Sequence, residues 1–333
     1  MKARFALFFA AALLAAGLAP AQEKPQPAPK AGEKQKVVVE KEKLPEYSES
    51  AGSEYVLLPV VVLDKKGRFV EGLERKDFQV RAQGSLVALD TFEKDDSAPV
   101  SWAFLIDTSG SMRLANKLDY AKSAVRHIIA TRKPGDDFAL FAFAEDEVNL
   151  VADFSRDTSK LLAALNELEA GGQTALFDAV AATPSKLLAG KNGKRAIVLF
   201  TDGVDNASKL SPAEMAEILQ QVSIPVYAIG MKNASFDRLN DEERSQLSVD
   251  NLRMLAASSG GKMYLPGGEE DLSPIAEKIG AEVRKQYLLG FTATGRGELK
   301  YRLLVVSVLK RGTWDIRARR GYRGTAPVSS GSQ

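Results

Sequence analysis

Residues 98–112 read Ala-Pro-Val-Ser-Trp-Ala-Phe-Leu-Ile-Asp-Thr-Ser-Gly-Ser-Met, and they constrain the fold more than any other stretch. Val100 to Ile106 is short, almost wholly apolar, and bounded by Pro99 and Asp107. Such a run reads as a strand covered on both faces. It breaks off in Asp107-Thr108-Ser109-Gly110-Ser111, where a carboxylate and two hydroxyls recur at every second position of a glycine-containing turn. An amphipathic helix is expected next, with Leu114, Leu118, Ala121, Val125, Ile128 and Ile129 on one stripe. Strand, polar loop and helix place the loop oxygens at the carboxyl end of a parallel sheet, where open α/β folds bind ligands.

Those oxygens suit a hard cation, because Mg²⁺ and Mn²⁺ take oxygen ligands. Asp-x-Ser-x-Ser is also ordinary turn and N-cap chemistry, so by itself it leaves both readings open. Two later stretches bear on the choice. Gly171-Gly172-Gln173-Thr174 places a hydroxyl in a glycine-led loop before a helix, and Ile197-Val198-Leu199-Phe200-Thr201-Asp202-Gly203 is a second buried strand ending in a carboxylate. Together the three pieces resemble the von Willebrand factor type A domain and its metal-ion-dependent adhesion site. That motif is Asp-x-Ser-x-Ser, then a Thr, then an Asp, matched here by Asp107, Ser109, Ser111, Thr174 and Asp202. The resemblance implies Mg²⁺ (or Mn²⁺) on these five residues, and a protein partner that supplies a Glu or Asp carboxylate to the metal.

Composition narrows the remainder. Lys and Arg number 45 against 43 Asp and Glu, a balance that gives no case for nucleic acid. With no cysteine, disulfides are impossible. Lys2 and Arg4, the apolar run Phe5–Leu18 and Ala19-Pro20-Ala21 read as a signal peptide over residues 1–21, with a mature start near Gln22. An uncleaved anchor is the alternative, but the apolar run is short for a span. The expected location is periplasmic or extracellular, with no transmembrane segment in the mature chain. Residues 22–52 are charged and Pro-containing and read as a disordered linker, in which Val37-Val38-Val39 could pair briefly.

From residue 53 to 95 the pattern is β. Tyr55–Leu63 is strand-like, with Pro59 pointing to an edge. Asp77–Arg81 and Leu86–Phe92 alternate around Gln83-Gly84 and read as a hairpin. Residues 97–286 alternate strands and helices, which predicts a doubly wound, mostly parallel sheet. Here Thr174–Leu188 is a helix interrupted near Pro184, and Ser211-Pro212-Ala213-Glu214 is a capping box opening another. Residues 287–323 return to β, and 324–333 read as a disordered tail. Neither β half can form a core alone. The expected fold is therefore an α/β, Rossmann-like domain inserted in a small β-sandwich built from N- and C-terminal segments.

The flanks also resemble a von Willebrand-A-related family found largely in Acidobacteria. The matching features are Asp64-Lys65-Lys66-Gly67, Leu73-Glu74-Arg75-Lys76-Asp77-Phe78 and Arg319-Arg320-Gly321-Tyr322. The function expected is an exported, non-enzymatic binding module. A haloacid-dehalogenase-like phosphotransferase is the enzyme alternative; it wants a general acid two residues after Asp107, where Ser109 stands. Serine hydrolysis needs an adjacent base, and the single histidine, His127, lies well past the loop. An envelope scaffold without an active metal role is the third reading. Arg317 and Arg319 alternate with Ile316 and Ala318, as on a half-exposed strand.

Overall fold

The computed structural model describes residues 54–95, 98–145, 147–222, 224–231, 242–293 and 301–323. The signal peptide, linker and tail expected from the sequence lie outside the described residues. Four strands come first: β1 (Glu54–Leu63), β2 (Phe78–Ala82), β3 (Ser85–Val87) and β4 (Thr91–Asp95). The α/β region follows as β5 (Val100–Asp107), α1 (Lys117–Ala130), β6 (Asp137–Ala144), β7 (Glu147–Ser155), α2 (Ser159–Asn166), α3 (Leu176–Lys186), β8 (Lys194–Thr201), α4 (Pro212–Gln221), β9 (Val226–Gly230), α5 (Glu242–Ser259), β10 (Met263–Tyr264) and α6 (Leu272–Arg284). Four more strands close the chain: β11 (Gln286–Ala293), β12 (Tyr301–Val308), β13 (Asp315–Arg317) and β14 (Gly321–Arg323).

The central sheet has six strands in the order β10-β9-β8-β5-β6-β7. All its pairings are parallel except β6 with β7. Every residue of β5 is buried, as its unbroken apolar run requires. Trp102, Phe104 and Ile106 pack with α1 and α6 on one face, while Ala103 and Leu105 pack with α3, α4 and α5 on the other. Because β6 and β8 flank β5 on opposite sides, the chain reverses its winding direction there. The crevice this creates opens beyond the carboxyl ends of β5 and β8.

The remaining strands form two antiparallel sheets, ordered β13-β1-β11-β4 and β14-β12-β2-β3. Each mixes segments from before and after the α/β region. Val56, Leu58, Val60 and Val62, at alternate positions of β1, meet Phe78 and Val80 of β2 and Leu304 of β12 in a shared core. Tyr287 stands at its centre, with ring centroids 5.0 Å from Phe78, 5.3 Å from Phe69 and 5.8 Å from Phe92. Its hydroxyl donates to the Val70 carbonyl at 2.8 Å and accepts from the Leu73 amide at 3.1 Å, so burial leaves no polar atom unmet. Gln286 pairs with Asp95, so the strand that leaves for the α/β region lies against the strand that returns.

Several expectations need correction. Leu86–Phe92 is not one strand. The hairpin forms around Gln83 and Gly84, both with positive φ, but β3 ends at Val87, and β4 crosses to the other sheet to pair with β11. Leu114 does not belong to the buried stripe: α1 starts at Lys117, and Leu114 is 44% exposed. Pro184 does not interrupt α3, which runs on to Lys186 before a short 3₁₀ turn. Arg317 and Arg319 are not solvated. Arg319 is buried, and Arg317 forms a 2.7 Å ion pair with Glu282 of α6. Pro59 sits as read, in the part of β1 that pairs on one side only, with Leu288 opposite.

Candidate metal centre

Three loops meet at the carboxyl ends of β5 and β8, held together by their backbones. The Gly110 amide donates to the Gly172 carbonyl at 2.9 Å, and the Gly171 amide to that of Thr108 at 2.7 Å. The amides of Asn206 and Ala207 both donate to the Thr174 carbonyl at 3.0 Å. The side chain of Asn206 accepts from the Thr174 amide at 2.8 Å. Thr174, itself buried, is thus fixed through both its amide and its carbonyl. Gly172 has φ +85°, and a Cβ there would lie 3.1 Å from the Glu145 side chain, which explains glycine at that position.

Asp107 is fully buried at the end of β5. Its Oδ1 accepts from the Ser109 amide at 2.8 Å and its Oδ2 from the Thr201 hydroxyl at 2.5 Å. The Ser109 and Ser111 hydroxyl oxygens lie 3.2 Å apart. Burial, and next the negative charge of Asp202, push the Asp107 carboxyl up to about 6, against the opposing pull of its bonds to Ser109 and Thr201. Two carboxylates that repel each other in a low-dielectric site call for a cation between or beside them. One is at hand: the Lys117 ammonium lies 2.8 Å from Asp202 Oδ2.

The residues fit a divalent cation on these grounds. The donor set is oxygen only, and a positive group already sits on one of its carboxylates. Among the described residues no group of three or more His, Cys, Asp or Glu could hold a metal. A cation held here would therefore depend on hydroxyls for the rest of its protein ligands. Asp107 is bonded to Ser109 and Ser109 to Ser111, Asp202 acts on Asp107 through its charge, and Thr174 is placed through the backbone.

Sequence reasoning did not reach the supporting residues. Thr201 orients Asp107; Asn206 fixes Thr174; Asp205 accepts from the Leu176 amide at 2.9 Å and from the Ser208 hydroxyl at 2.7 Å. Asp178 accepts from the Lys209 and Leu210 amides, both at 2.9 Å, so the loop after Asp202 is clamped to α3. The run Asp202-Gly203-Val204-Asp205-Asn206 carried a signal, since Asp and Asn side chains readily bond nearby backbone in turns. Lys117 carried none.

The von Willebrand factor type A domain family matches residues 102–204, a span that runs from β5 past Asp202. The chain carries a von Willebrand factor type A domain. Domains of this family are generally adhesion and protein-interaction modules. An uncharacterized protein of Borreliella burgdorferi is 28% identical over 143 residues, 40% of this chain and 41% of that protein. The chain thus spans about two-fifths of the length of the curated relative it matches. Among solved structures, a von Willebrand factor type A protein from Catenulispora acidiphila is 14% identical, covering 85% of this chain and 76% of that one at a TM-score of 0.46. Proximal thread matrix protein 1 from the mussel byssus, solved with a zinc-occupied adhesion motif, is 19% identical, covering 62% and 50% at 0.44. No helix among the described residues is long and apolar enough to cross a membrane.

Proposed function

We propose that the type A domain is the binding module of an exported, non-enzymatic protein, and that Asp107, Ser109, Ser111, Thr174 and Asp202 hold Mg²⁺ (or Mn²⁺). The partner is a protein whose Glu or Asp carboxylate completes the metal's coordination. The observation that carries this reading is the crevice itself: buried Asp107 and Asp202 sit at the switch point beside two converging hydroxyls. Two carboxylates and neutral hydroxyls satisfy a divalent ion only in part, which favours an anionic oxygen from outside. The metal supplies the positive centre for that oxygen. The chain's own residues fix its place: Thr201 and the Ser109 amide hold Asp107, and Asn206 holds the Thr174 loop.

Phosphoryl transfer finds no general acid, since Ser109 takes that position and its hydroxyl lies against Ser111. Nor has a serine nucleophile an imidazole near it; His127 is about 15 Å along α1 from the helix start, at ~1.5 Å per residue. Residues 1–21 serve as the export signal in this reading, and residues 97–286 are a domain inserted between sandwich halves 53–95 and 287–323. The test is capture of envelope proteins by the full chain in Mg²⁺ or in chelator. Capture that depends on Mg²⁺ and is lost in Asp107→Ala supports the reading. Capture that survives both treatments overturns it.

A further inference from the structure

The residue on Asp202 is unexpected for its position. Lys117 is the first residue of α1, where the helix dipole disfavours positive charge. Directly before it, Ala115 (φ 52°, ψ 33°) and Asn116 (φ 57°, ψ 26°) are both left-handed. The conformation is strained for Ala115, whose Cβ crowds the following carbonyl, and asparagine adopts it more readily; consecutive examples are rarer than single ones. Neither residue is glycine, and both are exposed. Its effect is to bring the ammonium to Asp202 Oδ2 at 2.8 Å, where the lysine side chain is 15% exposed and the carboxylate 6%. A strained turn and an adverse dipole are thus both tolerated for one ion pair, made with a proposed metal ligand.

We infer that Lys117 is a built-in counter-cation that competes with the divalent ion for Asp202. It neutralises the buried carboxylate in the metal-free protein and must be displaced before the site fills. Lys117 therefore weakens metal binding and sets the cation concentration at which the site opens. Its release also frees the turn Arg113–Asn116 on the rim of the crevice, where exposed Leu114 sits. This inference rests on the metal-site reading above, and the experiment separates the two.

Free Mn²⁺ is followed by electron paramagnetic resonance as the full chain is titrated, for wild type, Lys117→Met, Lys117→Gln and Asp107→Ala. Circular dichroism verifies folding, and the Gln variant, which keeps a donor for Asp202, serves if Met does not fold. Lys117→Met should bind Mn²⁺ at least tenfold more tightly than wild type, with Gln between them. Amide exchange over residues 113–117 should change on Mn²⁺ addition in wild type. Equal or weaker binding by the lysine variants, with binding still abolished by Asp107→Ala, overturns the role of Lys117 and leaves the metal site standing. No Mn²⁺ binding by any variant overturns both.

Discussion

Thr201 donates its hydroxyl to Asp107 Oδ2 at 2.5 Å, joining the last residue of β8 to the last residue of β5. The bond favours the ionised carboxylate, which burial disfavours. Thr201→Val keeps the shape and removes the donor. Asp107 should then hold its proton to higher pH, and Mn²⁺ affinity should fall, most visibly near pH 6. Titrations at pH 6 and pH 8 check this; an equal loss at both would show that Thr201 acts through packing alone.

Acid should separate the metal-bound protein from the metal-free one. The Asp107 carboxyl titrates near 6 when folded, against its ordinary 3.8. The folded state thus binds the extra proton between those values. This group's contribution to stability is fully present below 3.8 and is lost as pH rises through about 6. Metal binding needs the deprotonated form, so the rise in Tm given by Mg²⁺ should shrink as pH falls through 6. Melting curves with Mg²⁺ and with chelator, for wild type and Asp107→Asn, test both signs. In chelator the gap between the two proteins should widen as pH rises from 3.8 to about 6 and stay constant above it, with wild type the lower.

Charge should outweigh neutral oxygen in the metal site. Asp107→Ala and Asp202→Ala should abolish Mg²⁺ binding, whereas Ala at Ser109, Ser111 or Thr174 should weaken it. A metal at a hundredfold excess over Kd stabilises the native state by about 2.7 kcal/mol. Calorimetric melts should show that increment in wild type and none in either aspartate variant.

The largely buried pair of Glu282 on α6 and Arg317 on β13 links a helix packed on the central sheet to the antiparallel sheets. Glu282 also accepts from the Tyr264 hydroxyl at 3.1 Å, and Arg317 also pairs with Asp315. Removing one member of a buried pair costs about 3–5 kcal/mol where it strands the other's charge. Arg317 keeps Asp315, so Glu282→Leu should cost less than that, and Glu282→Leu combined with Arg317→Leu should recover part of the loss. Urea unfolding of the single and double variants gives the coupling directly; additive losses would mean that the charges do not interact.

Residues 97–286, expressed alone, should fold cooperatively, since both faces of their sheet are covered by their own helices. Residues 53–95 alone should not, because β1 and β4 both pair with β11. Folding of the shorter piece by circular dichroism would refute the inserted arrangement.

The frame of the site was legible because its strands are buried on both faces and end in abrupt polar turns, as at Ile106-Asp107 and Thr201-Asp202. What escaped has physical causes. Leu114 fits the helical stripe by counting, but two left-handed residues separate it from α1, and they carry no glycine to mark them. Leu86–Phe92 alternates throughout, and period-two alternation is the same in either sheet, so the crossing after Val87 is invisible. Arg317 and Arg319 alternate with apolar neighbours as surface residues do. Their face is covered by α4 and α6, with Arg319 reaching the carbonyls of Gln220 and Gln221. A long-range contact of that kind leaves no local trace.

The pairing of Asp95 with Gln286 bears on the order in which the chain can fold. Bringing those two residues together from a random coil, across about 190 intervening residues, costs roughly 4–5 kcal/mol of closure entropy. If the α/β region forms first, its ends already stand side by side and that cost has been met. β1 and β4 must then wait, unpaired, until β11 emerges from the ribosome. The first four strands are consequently the part of the nascent chain most exposed to mispairing, and rapid collapse of the central sheet is what shortens their exposure.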